Sequence, residues 1–280
     1  LVAIADFHGQ LDPVAVANVG NVGGAAVLST YLQNERAANP NTVVVSAGDL
    51  YGASPPLSMY FEEKPMVKAA NLMRVQMNAV GNHEFDRGLG HLQAMIELAQ
   101  FPYVSANLAG VSANMKCRNR PAQRCIDPYT IVSVLGVKVA FIGITTPETP
   151  SVVKAGAMGT LTVTDPVTAA NAARSSAAAR GAKVFVAVAH LGGAPSATPG
   201  GQPTGPIIDF ARGLVGFDAV VGGHTHTELN TVVNGMPVAE NKSQSQTYTR
   251  LLLKYDFASK KTLDRSATTV VPVGTGVTPD

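Results

Sequence analysis

The chain has 280 residues and a formal net charge of +2, and 46% of its residues are hydrophobic while only 14% are charged. This length suits one large α/β domain or two small ones. The small net charge and the lack of a basic cluster argue against a nucleic-acid partner, and no run of about 18 apolar residues predicts a membrane span.

In the first half of the chain, short runs of β-branched residues alternate with helical patterns. An Ala- and Leu-rich stretch, 22–38, predicts a helix that stops at a polar turn. A second helix is predicted over 88–100, where Leu89, Leu92 and Ile96 recur at helical spacing. Buried strands are predicted at 1–5, 42–47, 75–80 and 103–107.

The second half opens with two strands joined by a tight turn, predicted over 129–145. A helix is predicted over 165–181, with Asp165 as its N-cap. A further helix is predicted at 205–215, strands at 182–189 and 217–223, and mostly β structure from 228 onward. One domain that contains two sheets is the simplest account of this order.

Reactive side chains follow five of the predicted strands, each just past the strand's C-terminal end. They are Asp6 and His8, Asp49, Asn82 with His83 and Asp86, His190, and His224 with His226. In open α/β sheets this edge is where ligands bind. Each motif alone also fits an ordinary turn. Together they hold five of the six histidines of the chain, which favours one shared site.

The chemistry of this set favours metal ions. Imidazole nitrogens and carboxylate or amide oxygens suit two hard-to-borderline divalent metals, and no thiolate is suitably placed. Zn, Mn, Co, Fe and Ni all accept such ligands. Two ions about 3.5–4 Å apart can hold a hydroxide and clamp a phosphoryl group for in-line attack.

The motifs "ADFHG", "AGDL", "GNHEFD", "AHLG" and "GGHTH" resemble those of the calcineurin-like metallophosphoesterases. The longer stretches "GNHEFDRG", "YVSANL" and "IGITTPETP" are similar, more narrowly, to the catalytic domain of the 5′-nucleotidase family. The resemblance covers 1 to about 255. It implies an α/β fold, a four-layer α/β/β/α sandwich with two facing mixed sheets and the site at one edge.

The resemblance also implies seven metal ligands, divided between two ions. Asp6, His8 and His226 would hold one ion, Asn82, His190 and His224 would hold the other, and Asp49 would bridge them. His83 would bind no metal but would stabilise charge on the phosphoryl group or protonate the leaving oxygen. Asp86 would orient His83, and it could also cap the helix that follows.

Four further residues and one loop lie outside this ligand set. Arg87 could reach a phosphate or simply face solvent, and Asn107 could line the site or cap a turn. His91 is interpreted as a surface histidine, and Glu84 as a structural residue that bonds backbone near the metal loop. The Gly/Pro-rich loop at 191–206 either shapes the cleft or is a mobile surface loop.

The function implied is hydrolysis of a small phosphoester, a nucleotide above all, by a hydroxide held between two metals. Hydrolysis of 2′,3′-cyclic phosphodiesters or of UDP-sugars is the alternative within the family. A non-catalytic metal-binding module that kept the fold is disfavoured, because all seven ligand positions and the pair His83 and Asp86 are intact.

Family members are exported and carry a C-terminal domain that stacks the base. By this resemblance, 1–273 is the catalytic domain, and 274–280 begins a linker to such a domain. Cys117 and Cys125 fit a disulfide that closes a small polar loop, which would imply an oxidising compartment, or two unpaired thiols. The sequence therefore predicts export to the periplasm, the cell surface or the medium, with any signal peptide already removed.

Overall fold

The computed structural model describes residues 1–117, 125–198 and 201–280. Its strands are β1 (Val2–Ile4), β2 (Val14–Val16), β3 (Gly20–Val22), β4 (Val44–Ser46), β5 (Met77–Ala79), β6 (Tyr103–Val104), β7 (Leu108–Ala109), β8 (Ile126–Asp127), β9 (Tyr129–Val134), β10 (Val137–Ile144), β11 (Thr162–Val163), β12 (Val184–Ala189), β13 (Ala219–Gly222), β14 (Leu229–Val233), β15 (Met236–Glu240), β16 (Tyr248–Asp256) and β17 (Lys261–Val270). Its helices are α1 (Ala25–Ala38), α2 (Pro56–Tyr60), α3 (Lys64–Leu72), α4 (Gly88–Leu98), α5 (Val111–Asn114), α6 (Thr149–Val152), α7 (Pro166–Ala179) and α8 (Pro206–Gly213), with a short 3₁₀ turn at His83–Phe85.

Two large mixed sheets form the body of the molecule. The first has the order β17-β16-β1-β4-β5-β6-β8, and the second β14-β15-β13-β12-β10-β9. In the first sheet β1, β4, β5, β6 and β8 run parallel, and in the second β10, β12, β13 and β15 do. The C-terminal ends of the parallel strands therefore meet at one edge of each sheet, which is where the predicted site residues follow.

The period of two along each strand decides what each face of a sheet contacts. In β1, Val2 and Ile4 pack under α1, α3 and α4, while Ala3 turns inward to the second sheet. The layer between the sheets is made largely of Ala and Val, with Phe141 as its bulkiest member. Helices α7 and α8 cover the outer face of the second sheet. This is the predicted α/β/β/α sandwich, and the fold class is confirmed.

The structure adds elements that the sequence analysis left unassigned, chiefly α2 and α3. Neither helix has a side-chain cap at its N-terminus, and the start signal that the sequence does offer is a proline in the first turn, Pro56 and Pro65. The last strand begins at Lys261, well before the apolar run near 267–273 that indicated it. Its first half is largely exposed and polar, and pairing with β16 holds it in place.

The tail at 274–280 lies along α1. The Gly274 N–H donates to the Asn21 carbonyl at 2.8 Å, and the Thr30 hydroxyl donates to the Thr278 carbonyl at 2.8 Å. The Ser29 hydroxyl donates to the Asp280 carboxylate at 2.5 Å. That the tail at 274–280 is the start of a linker stays a prediction.

The two cysteines form the predicted disulfide. Cys117 and Cys125 are bonded and buried, and the polar residues between them, 118–124, lie outside the described part of the chain.

Among the described residues, none of the helices has both the length and the apolar character that a bilayer crossing requires.

A polar cluster fastens α1 to the first sheet. Arg250 on β16 donates from Nε to Glu35 Oε2 at 2.9 Å, and the Tyr248 hydroxyl donates to Glu35 Oε1 at 2.6 Å. Burial opposes ionisation of Glu35, but the bonds from Arg250 and Tyr248 outweigh it and lower the pKa of this carboxyl. The cluster therefore stabilises the folded state while Glu35 is charged.

We expect Glu35→Gln to lower the free energy of unfolding by about 1–2 kcal/mol near pH 7, because charge-assisted hydrogen bonds are lost from a partly exposed cluster. The folded pKa lies below the ordinary value of 4.5, so this contribution is complete above that pH and disappears as pH falls through the folded pKa. Urea unfolding at neutral pH and at about pH 3 checks it. If the difference in unfolding free energy between wild type and variant were as large in acid as at neutral pH, the assignment would be contradicted. Asp209→Asn, which breaks an exposed pair with Arg212, is the control with little expected change.

Candidate metal centre and active site

The predicted ligands converge where the two sheets meet. Asp6, His8 and His226 can place ligand atoms within 4.8 Å of one another, and so can Asp49, His190 and His224. The amide oxygen of Asn82 lies 3.1 Å from His190 Nε2. The structure thus assembles the two groups that the sequence predicts.

His83 also comes within reach of this centre. It forms a third group with His8 and Asp49 at the same 4.8 Å limit. Its Nδ1, however, faces Asp86 Oδ2 at 2.8 Å. That His83 binds no metal stays a prediction.

The backbone fixes which nitrogen of two ligand imidazoles faces the centre. His8 Nδ1 is 2.9 Å from the Gly52 carbonyl, and His190 Nδ1 is 2.9 Å from the Ala47 carbonyl. A carbonyl can only accept, so each Nδ1 carries a proton, and Nε2 is the nitrogen that faces the centre and would offer its lone pair to a metal. The Nε2 of His190 then lies 3.0 Å from Asp49 Oδ2. Converging acceptors of this kind fit a cation between them.

Burial sets the electrostatics of the centre. Asp6 is 0% exposed, and burial raises its pKa to about 8. Burial would also raise the pKa of Asp49, but the adjacent His190 lowers it below the ordinary range. Burial would lower the pKa of His190, yet the Asp49 carboxylate outweighs this and raises it to about 10. The buried acids therefore favour positive charge at the centre, which a divalent metal would supply more strongly than a proton does.

Five ligand residues hold backbone conformations that most side chains avoid. Their φ angles are positive: Asp6 49°, His8 49°, Asp49 50°, His224 91° and His226 57°. Such a conformation costs of order 1–3 kcal/mol per residue and persists only where the surroundings enforce it. A side chain at Gly223 would collide with the Asp6 carboxylate, which explains the glycine before the two histidines.

A buried carboxylate, Glu84, holds the loops around Asp49, as predicted for this residue. Its Oε2 accepts from the N–H groups of Gly81 at 2.7 Å and Asp49 at 3.1 Å. Its Oε1 accepts from the N–H of Leu50 at 3.0 Å and from Asn78 Nδ2 at 3.1 Å. One side chain thereby fixes two metal-site loops of the first sheet.

A second buried carboxylate, Glu240, does the same in the second sheet, and the sequence analysis missed it. It accepts from the N–H of Gly193 at 2.8 Å and from the hydroxyl of Thr225 at 2.7 Å. Thr225 lies between the two ligand histidines of "GGHTH". The start of the loop at 191–206 is therefore fixed beneath that turn, so this part of it is not a mobile surface segment. The available signal was an acidic residue ending the apolar run "MPVAE".

The predicted pair of His83 and Asp86 lies at the mouth of the centre. Their side chains are 31% and 34% exposed. The bond to Asp86 raises the pKa of His83 to about 9, so the ring is charged at neutral pH. The His83 N–H also donates to Asp49 Oδ1 at 2.9 Å, and the ring lies edge-on to His8 with centroids 5.1 Å apart.

Of the two substrate candidates, Asn107 is fully buried. It is 0% exposed, its Nδ2 donates to the Thr145 carbonyl at 2.8 Å, and its Oδ1 accepts from the Thr145 N–H at 2.9 Å. It joins the segment after β6 to the segment after β10, and its role in lining the site stays a prediction. Arg87 donates to the Met59 carbonyl at 3.1 Å and remains partly exposed.

Two other residues near the site differ from expectation. His91 is partly exposed, as predicted, but it also packs inward: Nε2 is 3.0 Å from the Glu62 carbonyl, and the ring lies edge-on to Tyr51. Glu148 was missed, although it lies in the quoted "TTPETP" just after β10. Its Oε2 is 3.0 Å from His224 Nε2.

A family model described as calcineurin-like phosphoesterase matches residues 1–228, most of the chain and all seven predicted ligands. The chain belongs to this family. The match confirms the predicted class, a metal-dependent phosphoester hydrolase.

Three relatives illustrate the range of the family. The chain is 26% identical to endonuclease YhcR of Bacillus subtilis, over 100% of this chain and 24% of that protein. It is 32% identical to the snake venom 5′-nucleotidase of Crotalus adamanteus, over 75% of this chain and 33% of that protein. The crystal structure of the calcineurin-like phosphoesterase YfkN of Bacillus subtilis superposes with a TM-score of 0.80 at 26% identity, covering 100% of this chain and 92% of that one. The chain thus spans a quarter to a third of the first two relatives.

We expect Glu84→Ala to lower the free energy of unfolding by about 3 kcal/mol or more, because three buried N–H groups lose their acceptor. Metal affinity should fall about 10–100-fold, since the Asp49 loop is no longer held. Denaturant unfolding and metal titration below the melting temperature check both effects. Glu62→Ala removes an exposed carboxylate paired only with Lys64 and serves as the control. A Glu84 variant as stable as this control would refute the anchoring role.

Proposed function

We propose that the chain is a two-metal phosphoester hydrolase that acts on nucleotides. The observation that carries the proposal is the convergence of buried acceptor atoms from both sheets, with a charged imidazole at the mouth. A relative named as a 5′-nucleotidase supports the choice of a nucleotide.

Seven side chains would hold the metals. Asp6, His8 and His226 would bind one ion, Asn82, His190 and His224 the other, and Asp49 both. The ions would supply Lewis acidity and an activated water. Zn, Mn, Co, Fe and Ni all suit these nitrogen and oxygen ligands.

His83 would act on the substrate directly. Since Nδ1 faces Asp86, the other ring nitrogen is left for a phosphoryl oxygen or the leaving oxygen. Asp86 keeps the imidazole protonated and oriented, and its carboxylate also accepts from the Ala53 N–H at 3.3 Å. A positioned acid of this kind contributes about 10²–10⁴-fold to the rate.

A substrate panel tests the proposed activity. Phosphate release is measured from AMP, UDP-glucose, 2′,3′-cyclic AMP and phenyl phosphate, each with added Mn, Zn or Co. AMP as the best substrate supports nucleotide hydrolysis, whereas preference for the cyclic diester or the UDP-sugar would move the assignment to that activity. A single-stranded oligonucleotide belongs in the panel because one relative is named an endonuclease. No turnover of any ester with any metal would favour a non-catalytic metal-binding module.

We expect Asp49→Asn and His83→Asn to separate metal binding from chemistry. Asp49→Asn should lose both metals, because the bridging charge is gone, while His83→Asn should keep them and lower kcat by about 10²–10⁴-fold. Metal content by mass spectrometry and turnover of the best ester are measured on the same samples. Metal loss in the His83 variant would overturn the role given to His83.

We also propose that the protein functions outside the cytoplasm and together with a C-terminal substrate-binding domain. The disulfide between Cys117 and Cys125 supports an oxidising compartment. The chain covers only about a quarter of one relative and a third of another. This difference in length is the reason to expect a further domain.

A further inference from the structure

A pocket of about 150 Å³ adjoins His83 and Asp86 on the side away from the second sheet. Its walls come from the loop after β4, the turn between α2 and α3, and the start of α4. A cavity of about this volume can accommodate a six-membered ring. The metal ligands proposed above do not line it; its remaining lining residues are Tyr51, Gly52, Ala53, Ser54, Met59, Glu63, Arg87 and His91.

Buried polar atoms in the wall of this pocket have no hydrogen-bond partner among the described residues. Four lining residues carry one, and since the Tyr51 hydroxyl interacts with Tyr103, the three that remain are Glu63 Oε2, Ser54 Oγ and His91 Nδ1. Glu63 is only 3% exposed, so its carboxylate is a charged group taken out of water. A buried polar atom left unpaired costs about 1–3 kcal/mol. Three such atoms around one cavity point to a ligand that completes them.

The missing partner has to donate hydrogen bonds. A carboxylate oxygen only accepts. His91 Nε2 faces the Glu62 carbonyl at 3.0 Å and carries the proton, so Nδ1 of the neutral ring also accepts. The Arg87 guanidinium lies 3.8 Å from the other oxygen of Glu63, Oε1, which leaves Oε2 for the ligand.

The position of the pocket indicates which part of the substrate it would bind. It shares His83 and Asp86 with the active site, and His83 is the group placed to protonate the leaving oxygen. A group that fills the pocket is therefore bonded to the leaving oxygen rather than to the metals. We propose that this pocket binds the sugar ring next to the leaving oxygen through its hydroxyl groups, which is the ribose when the substrate is a nucleotide. This inference rests on the proposed phosphoester hydrolysis.

Two probes with the same phosphate and different alcohols test it. Ribose 5-phosphate offers hydroxyl donors to Glu63, whereas phenyl phosphate fills a similar space without them. The ratio of kcat/KM for ribose 5-phosphate to that for phenyl phosphate should fall about tenfold or more in Glu63→Gln, the loss that one hydrogen bond to a charged acceptor gives. The control Glu62→Gln alters the neighbouring, exposed carboxylate, and its ratio should stay within about twofold of wild type. An equal loss on both substrates in Glu63→Gln would assign Glu63 a structural role only and overturn the proposal.

Binding is read separately from turnover. On titration with ribose 5-phosphate, the ring proton resonances of His91 should shift to saturation in the wild type and in Glu62→Gln, and much less in Glu63→Gln. No shift at His91 in the wild type would overturn the pocket assignment, even if phosphoesters are hydrolysed. A saturable shift without hydrolysis of either probe would support the pocket and refute the proposed activity, so the two failures are distinguishable.

Discussion

The carboxyl groups of Asp6 and Asp49, both buried between the two sheets, are the constraint on which the site edge depends. A buried carboxylate is tolerated only when it is paired or hydrogen-bonded. Asp49 finds His190 Nε2 at 3.0 Å, and both oxygens of Asp6 accept from the His224 N–H at 3.0 Å. Both acidic groups belong to the first sheet and both partners to the second. Charge compensation therefore joins the two halves of the sandwich at the edge where chemistry is to occur.

Close approach of the sheets makes this pairing possible. The layer between them consists mainly of Ala and Val, so their backbones lie near each other. A side chain at Gly143 of β10 would collide with the Val104 backbone of β6. The Ala106 N–H donates to the Gly143 carbonyl at 2.8 Å, a hydrogen bond directly between the two sheets. These small residues thus set the distance over which the predicted ligands meet.

The loops that carry the predicted ligands have strained backbones. Two buried carboxylates hold these loops in place. Positive φ angles at Asp6, Asp49 and His224 turn the chain sharply at the ends of three strands. Glu84 and Glu240 each collect loop N–H groups around one carboxylate, which restrains the backbone that would otherwise relax. Metal geometry depends on such outer groups almost as much as on the ligands themselves.

The sequence predicts the positions of the candidate metal ligands well, but it predicts poorly which groups hold their loops in place. Ligands such as Asp6 and His190 directly follow runs of buried β-branched residues, and the ends of parallel strands must share an edge, so local pattern alone brings them together. Glu240 belongs to the same site but lies at the end of β15, far along the chain, and only the packed sheet brings it to Thr225. The helices α2 and α3 lack capping signals, so the pocket they help to enclose could not be expected from sequence.

Under the proposed function, the different charges on the two flanks of the cleft would orient a phosphoester. On one flank His83 is protonated and partly exposed, and the acceptor-lined pocket lies beside it. On the other flank the exposed carboxylate of Glu148 lies 3.0 Å from His224 Nε2. An anionic phosphoryl group is repelled by Glu148 and attracted by His83, so the developing negative charge of a leaving oxygen is best accommodated on the His83 side. The alcohol then lies where Glu63 can accept from it, and the two proposals become parts of one binding geometry.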